Sequence, residues 1–148
     1  MKDIRIKDCE SGDFASWRAL WDEYLAFYKV SLPDEVTAAT WARLMDAGSP
    51  VKARLAVSGG QVVGFAIHHH HASTWVMADD CYLEDLFVDA SARGCGAGRM
   101  LLQDVIDLAR ARGWGRVYWH TDEGNTRARA LYDSFAPYDG HVRYRLKL

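Results

Sequence analysis

The sequence predicts one mixed α/β sheet, mostly antiparallel and twisted, with helices packed around it. Three observations predict it: a strand followed by two helical patterns, a run of antiparallel strands around a Gly-Gly hairpin, and a later strand-helix-strand-helix-strand alternation. The 148 residues suit one domain, residues 1–148, which on folding removes roughly 70% of its unfolded surface from water. Apolar residues at 49% and charged residues at 26% are the balance of a globular chain.

Each element has its own signal. Ile4 and Ile6 alternate with Arg5 and Lys7 as a short edge-like strand, and Ser11-Gly12-Asp13 turns the chain, with Asp13 placed to cap a helix. Phe14, Trp17, Leu20, Trp21, Tyr24, Leu25 and Tyr28 recur at threes and fours, so that helix carries one aromatic stripe, facing the core or a partner. Ser31-Leu32-Pro33-Asp34 ends it, and a second helix runs over about 35–47 to the stop Gly48-Ser49-Pro50. The clearest hairpin joins strands 52–57 and 62–69 through Ser58-Gly59-Gly60-Gln61, whose glycines supply positive φ. A strand over 81–88 leads to a glycine-rich turn. The helix that follows, about 96–112, carries Leu101, Leu102, Val105, Leu108 and Ala109 on one side, with Arg110 and Arg112 complementing its dipole and Gly113 as its cap. Strand 117–120, helix 125–135 with Ala128, Leu131, Tyr132 and Phe135 on one face, and a closing strand over 142–146 complete the chain.

Composition excludes several function classes. A net charge of -2 without a basic block disfavours nucleic acid and suits a small cationic substrate. No apolar run reaches signal-peptide or membrane-span length, which predicts a cytosolic protein without a membrane role. Cys9, Cys81 and Cys95 are odd in number and lack metal-ligand spacing, so reduced thiols and no metal are expected. The run His68-His69-His70-His71 does not change that: neighbours on a strand point to opposite faces and do not converge on one ion.

The feature that carries chemistry is Arg93-Gly94-Cys95-Gly96-Ala97-Gly98-Arg99, between a strand and a helix start. Unpaired amides and the positive end of the helix dipole converge there, and glycine lets an anion approach the backbone. Spacing alone leaves an ordinary glycine-rich helix start as the alternative. A nucleoside-triphosphate loop needs Gly-Lys followed by Ser or Thr, whereas Gly98 is followed by Arg99 and Met100. A dinucleotide fingerprint needs Gly-x-Gly-x-x-Gly, whereas Gly94, Gly96 and Gly98 are evenly spaced.

The run Arg93 to Gly98 matches the pattern Arg/Gln-x-x-Gly-x-Gly/Ala of the GNAT superfamily of N-acetyltransferases, directly after a strand ending Asp85-Leu86-Phe87-Val88 as in that motif. Further on, Asn125-Thr126-Arg127-Ala128-Arg129-Ala130-Leu131-Tyr132 is similar to the superfamily's Asn-x-x-Ala-x-x-x-Tyr segment. On these two motifs the chain is identified as a member of that superfamily. Tyr82-Leu83-Glu84-Asp85-Leu86-Phe87-Val88 and Trp17-x-x-x-Trp21-x-x-Tyr24-x-x-Phe27-Tyr28 further resemble the polyamine acetyltransferases and yeast histone acetyltransferase-like relatives. The resemblance implies acetyl-CoA as co-substrate, in a V-shaped opening where strands 81–88 and 117–120 splay apart, its arm paired with the segment Leu86, Phe87 and Val88. It implies that Arg93, Gly94, Cys95, Gly96, Ala97, Gly98 and Arg99 form the pyrophosphate turn and that Asn125 touches the arm near the thiol.

The implied reaction is acetyl transfer to a primary amine, of a polyamine-like cation or a lysine side chain, with a D-amino acid or another small amine also open. Such an amine has a pKa near ~10.4, so roughly one molecule in a thousand or fewer is neutral at pH 7 and a base must take the proton. Glu84 is the candidate base through water, with counter-ion to the substrate and an ordinary ion-paired strand carboxylate as alternatives. Tyr132 is the candidate acid for the departing thiolate, with core packing as the alternative. The acidic pairs Asp22/Glu23, Asp34/Glu35, Asp79/Asp80 and Glu84/Asp85 either draw a cation to the acceptor side or are plain solvated charges. A silent CoA-binding sensor of the same fold is the reading from another class, and the presence of both Glu84 and Tyr132 argues against it. The aromatic first helix offers an interface for a homodimer or higher homo-oligomer.

Overall fold

A computed structural model describes residues 3–148. Its elements are β1 Ile4–Asp8, α1 Phe14–Phe27, α2 Asp34–Met45, β2 Val51–Ser58, β3 Gln61–His71, β4 Asp80–Val88, α3 Ala97–Arg112, β5 Arg116–Trp119 and α4 Thr126–Asp133. One sheet runs in the order β1-β2-β3-β4-β5. Pairing is antiparallel through β4, and β5 then joins β4 in parallel, as a connection through α3 requires.

The sheet is buried on both faces. On one side α1 and α2 bring Trp17, Leu20, Trp21 and Leu44 against Leu55, Phe65, Ile67 and Phe87. On the other, Leu101, Leu102, Val105 and Ala109 of α3 cover Ala56, Ala66, Cys81 and Leu83. The middle of the α1 stripe belongs to the core, while Phe14 and Tyr28 at its ends stay exposed: Trp17 is 0% exposed, lies 5.3 Å from Trp21 and meets Trp41 at 5.2 Å. Trp21 Nε1 donates to Thr37 Oγ1 at 3.1 Å and ties the two helices together. Asp13 does stand at the N-cap of α1, yet its carboxylate reaches backwards, accepting from Lys7 Nζ at 2.7 Å and Glu10 N at 2.8 Å.

Two irregularities position the site. Ile67 pairs with Asp85 while His68 pairs with Leu83, so Glu84 is an extra residue in β4 and forms a bulge. Parallel pairing of β4 with β5 ends at Leu83 and Trp119, which leaves residues 84–88 of β4 without a partner on that edge. This is the splay expected between the two strands.

The expected closing strand over 142–146 does not form. After α4 the chain has no regular structure, and every residue from Tyr138 onward is exposed. The alternation of Val142, Tyr144, Leu146 and Leu148 with basic residues is strand-like, but it lies on no surface that would bury its apolar side.

Candidate active site

The glycine-rich turn opens α3 on glycine backbone. Gly96, with φ 89°, is the N-cap of α3, Gly94 has φ 82°, and no side chain caps the helix start. Both angles lie in the region that glycine occupies without strain. The amides of the first turn thus have no side-chain cap, and the positive end of a 16-residue helix lies behind them.

The side chains that flank the turn face the protein. Arg93 Nε donates to the Val88 carbonyl at 3.1 Å, and its guanidinium lies 5.3 Å from the Phe27 ring centre and 5.6 Å from that of Phe87. Arg99 donates to Ser134 Oγ at 3.0 Å and covers Phe135, pinning α3 to the end of α4. The Cys95 thiol donates to the Ala92 carbonyl, and Ala97 is buried. In β4, Phe87 points into the α1 core, while Leu86 and Val88 point towards α3. Only main-chain groups of this segment are left for a ligand along the open edge.

The bulge turns both Glu84 and Asp85 to the α1 side. Glu84 Oε1 lies 3.2 Å from His69 Nε2, and that contact holds its carboxyl below the usual range. Asp85 accepts from the Tyr24 hydroxyl at 2.7 Å, while burial pushes it up to about 6. Tyr28, next on the same helix stripe, lines an open cavity of about 380 Å³ with Phe27, Lys29, Asp122, Gly124 and Asn125. Asn125 Oδ1 accepts from Ala128 N at 3.4 Å as the cap of α4, leaving its amino group uncommitted by that bond. Tyr132 packs against Trp119 at 5.5 Å, and burial pushes its phenol up to about 12. Glu84 belongs to the α1 side of β4, and Tyr132 packs against the cluster around α3.

The remaining acidic pairs are largely ordinary ion pairs. Asp22 and Asp34 share Arg18, Asp79 meets His70, and Asp80 accepts two bonds from Arg116. Sequence reasoning missed the Tyr24–Asp85 bond and the stack of Tyr82 on Tyr118, 4.9 Å apart and edged by His120. For the first, the inward stripe of α1 places Tyr24 against the sheet but does not name Asp85 as its partner. No local pattern announces the second, which needs the parallel pairing of β4 with β5.

The four histidines alternate in face. His69 and His71 contact Glu84 and the Tyr118 hydroxyl, whereas His68 and His70 lie against Trp114. Among the described residues both ring nitrogens of buried His68 lack partners, and burial lowers its pKa to about 4. Unfolded, it titrates near ~6.5 and binds the extra proton, so stability should be full above that pH and fall by up to about 3 kcal/mol between pH ~6.5 and ~4. Urea unfolding across this range should show the loss, and His68→Leu should flatten it.

Comparison with known proteins agrees with this architecture. Residues 17–136 match the Acetyltransferase (GNAT) family. The D-amino-acid N-acetyltransferase HPA3 of Saccharomyces cerevisiae is 36% identical over 144 residues, covering 96% of this chain and 89% of its own. The thialysine N-epsilon-acetyltransferase of Caenorhabditis elegans is 32% identical over 80 residues, 54% of this chain and 49% of its own. The fold is shared with the aminoglycoside N-acetyltransferase AAC(6')-Iy in complex with CoA, at a TM-score of 0.82 and 19% identity, over 100% of this chain and 97% of that one. Among the described residues no helix is long and apolar enough to cross a membrane. With the family match over residues 17–136 and a relative 36% identical over most of both chains in agreement with the splayed sheet, the chain belongs to the acetyltransferase (GNAT) family and is an N-acetyltransferase.

Proposed function

We propose that the chain moves the acetyl group of acetyl-CoA to the primary amine of a small cationic molecule or a lysine side chain. The observation that carries this reading is the unpaired edge of β4 beyond Leu83, running towards the uncapped start of α3. The main chain of Leu86, Phe87 and Val88 pairs with the cofactor arm, the amides of residues 94–99 receive the pyrophosphate, and Asn125 contacts the arm through its amino group. Acetyl-CoA supplies the thioester that the amine attacks.

In this reading Glu84 takes the ammonium proton through water, and Tyr132 donates a proton to the departing thiolate. A phenol raised by burial stays protonated at neutral pH, as an acid must. Substitution Glu84→Gln separates base from counter-ion. A base predicts a fall in kcat of about 10²–10⁴-fold, with loss of the acidic limb of the pH profile. A counter-ion predicts a raised KM for the amine with kcat retained. Unchanged values of both would leave Glu84 as a plain partner of His69.

An amino acid as acceptor is favoured by one further observation. Lys29 and Asp122 line the same cavity, offering one partner to a carboxylate and one to an ammonium. The D-amino-acid and thialysine activities in the relatives' names are of this class. An acceptor panel of polyamines, lysyl peptides and amino acids of both hands, read by CoA release, decides among them.

A further inference from the structure

The end of α1 carries an unusual piece of backbone. Tyr28 closes the helix, and the two residues after it bond back to its last turn: Lys29 N donates to the Ala26 carbonyl at 3.0 Å and Val30 N to the Leu25 carbonyl at 2.9 Å. This pair of bonds ends a helix by putting one residue in the left-handed region, where glycine is the usual occupant. Here that residue is Lys29, at φ 55°, and among the described residues it alone has a positive φ without being glycine. A residue with a Cβ is strained in this conformation.

The helix dipole does not account for the choice. A cation near a helix C-terminus is favourable, but a lysine at position 26 or 27 would supply the same charge on relaxed backbone. Strain of this kind persists where the side chain has a separate role. Lys29 lines the open cavity of about 380 Å³ together with Asp122 and Asn125. The two charges face one space without neutralising each other, since no ion pair joins Lys29 to Asp122 among the described residues. Asn125, the candidate contact for the cofactor arm near its thiol, puts that space beside the reacting centre.

Resting on the acetyl-transfer reading, we propose that Lys29 determines acceptor selectivity: its ammonium binds a carboxylate carried by the acceptor, so that zwitterionic amines are taken and polyamines are turned away. Attraction and repulsion both sort the acceptors. A carboxylate gains a charge-assisted bond to Lys29, whereas a polyamine brings a further ammonium against it. The strained helix end thus trades stability for discrimination.

The test compares acceptors that differ in the carboxylate alone, leucine of each hand against 3-methylbutylamine, with spermidine as the polycation. CoA release, acetyl-CoA affinity and melting curves are measured on the whole chain. The parent should prefer leucine of one hand to the bare amine. Lys29→Glu keeps the strain and reverses the charge, and should lower kcat/KM for leucine by about a hundredfold while raising it for spermidine. Lys29→Gly removes charge and strain together, so the preference for leucine should fall by about tenfold or more while the melting temperature rises by about 2–4 °C. Lys29→Arg should keep the preference, and acetyl-CoA affinity should be the same in all. A leucine-to-amine ratio untouched by Lys29→Glu overturns the proposal. So does weaker acetyl-CoA binding in Lys29→Gly with the ratio unchanged, because the lysine then serves a phosphate of the cofactor. Lower stability of Lys29→Gly would remove the strain from which the role was read. A parent that turns over spermidine but not leucine defeats the role of Lys29 alone, whereas a parent inactive with every amine defeats the acetyl-transfer reading as well.

Discussion

Tyr132→Phe should lower turnover of acetyl-CoA with a saturating amine by about 10²–10⁴-fold, the range of a lost general acid. The ring would stay against Trp119, 5.5 Å away, so the packing of α4 onto β5 is kept and thermal stability should barely move. That combination is diagnostic. A residue whose role is packing loses little when only its hydroxyl is removed, and turnover within a few fold of the parent would return Tyr132 to the core. Steady-state CoA release and a melting curve on the same sample give both numbers. Binding of acetyl-CoA should be retained, since the candidate contacts for the cofactor lie in β4, the turn and Asn125.

Trp17→Ala should carry the largest stability loss in the molecule, about 3–5 kcal/mol. Trp17 is fully buried between Phe14, Trp21 and Trp41, so truncation opens a void between α1 and α2 that helices tied together by the Trp21–Thr37 bond do not readily collapse into. A domain has about 5–15 kcal/mol to lose, so a large share of the variant is expected to unfold under mild stress. Urea unfolding should show a lower midpoint with an unchanged slope. Trp17→Phe should lose much less. The Trp17 indole Nε1 is buried without a hydrogen-bond partner, and phenylalanine removes that unsatisfied donor along with part of the ring.

Local patterns carried most of the fold. The three-and-four spacing of α1, the paired glycines at 59 and 60, and Gly113 after α3 each act within a few residues, and each appears where expected. Several bounds shift by a residue or two: α2 is Asp34–Met45, β5 is Arg116–Trp119 and α4 is Thr126–Asp133. Failures came where the outcome depends on distant chain. Alternation at 142–148 has the chemistry of a strand, but a strand needs a ladder, and no strand pairs with this segment among the described residues. The stripe of α1 is equally apolar whether a sheet or a second molecule covers it; the sheet covers Trp17, Leu20 and Trp21. At the site, the turn and its glycines were legible because backbone conformation is written locally. The Tyr24–Asp85 bond was not, since it spans the sequence from α1 to β4 and depends on a bulge that no spacing rule foretells.

That bulge makes β4 a strand with a reading frame. Upstream of Glu84 the odd positions Cys81 and Leu83 face α3; downstream the even positions Leu86 and Val88 do, and Phe87 looks the other way. Deleting residue 84 would therefore restore a regular ladder with both halves of the strand still seated: Leu83 and Cys81 would keep facing α3, and Asp85 and Phe87 the α1 side. Substitutions at position 84 test chemistry, while a single-residue deletion there removes the bulge and should leave the core intact. The extra residue gives the α1 side of β4 a second carboxylate without changing which side chains the core receives.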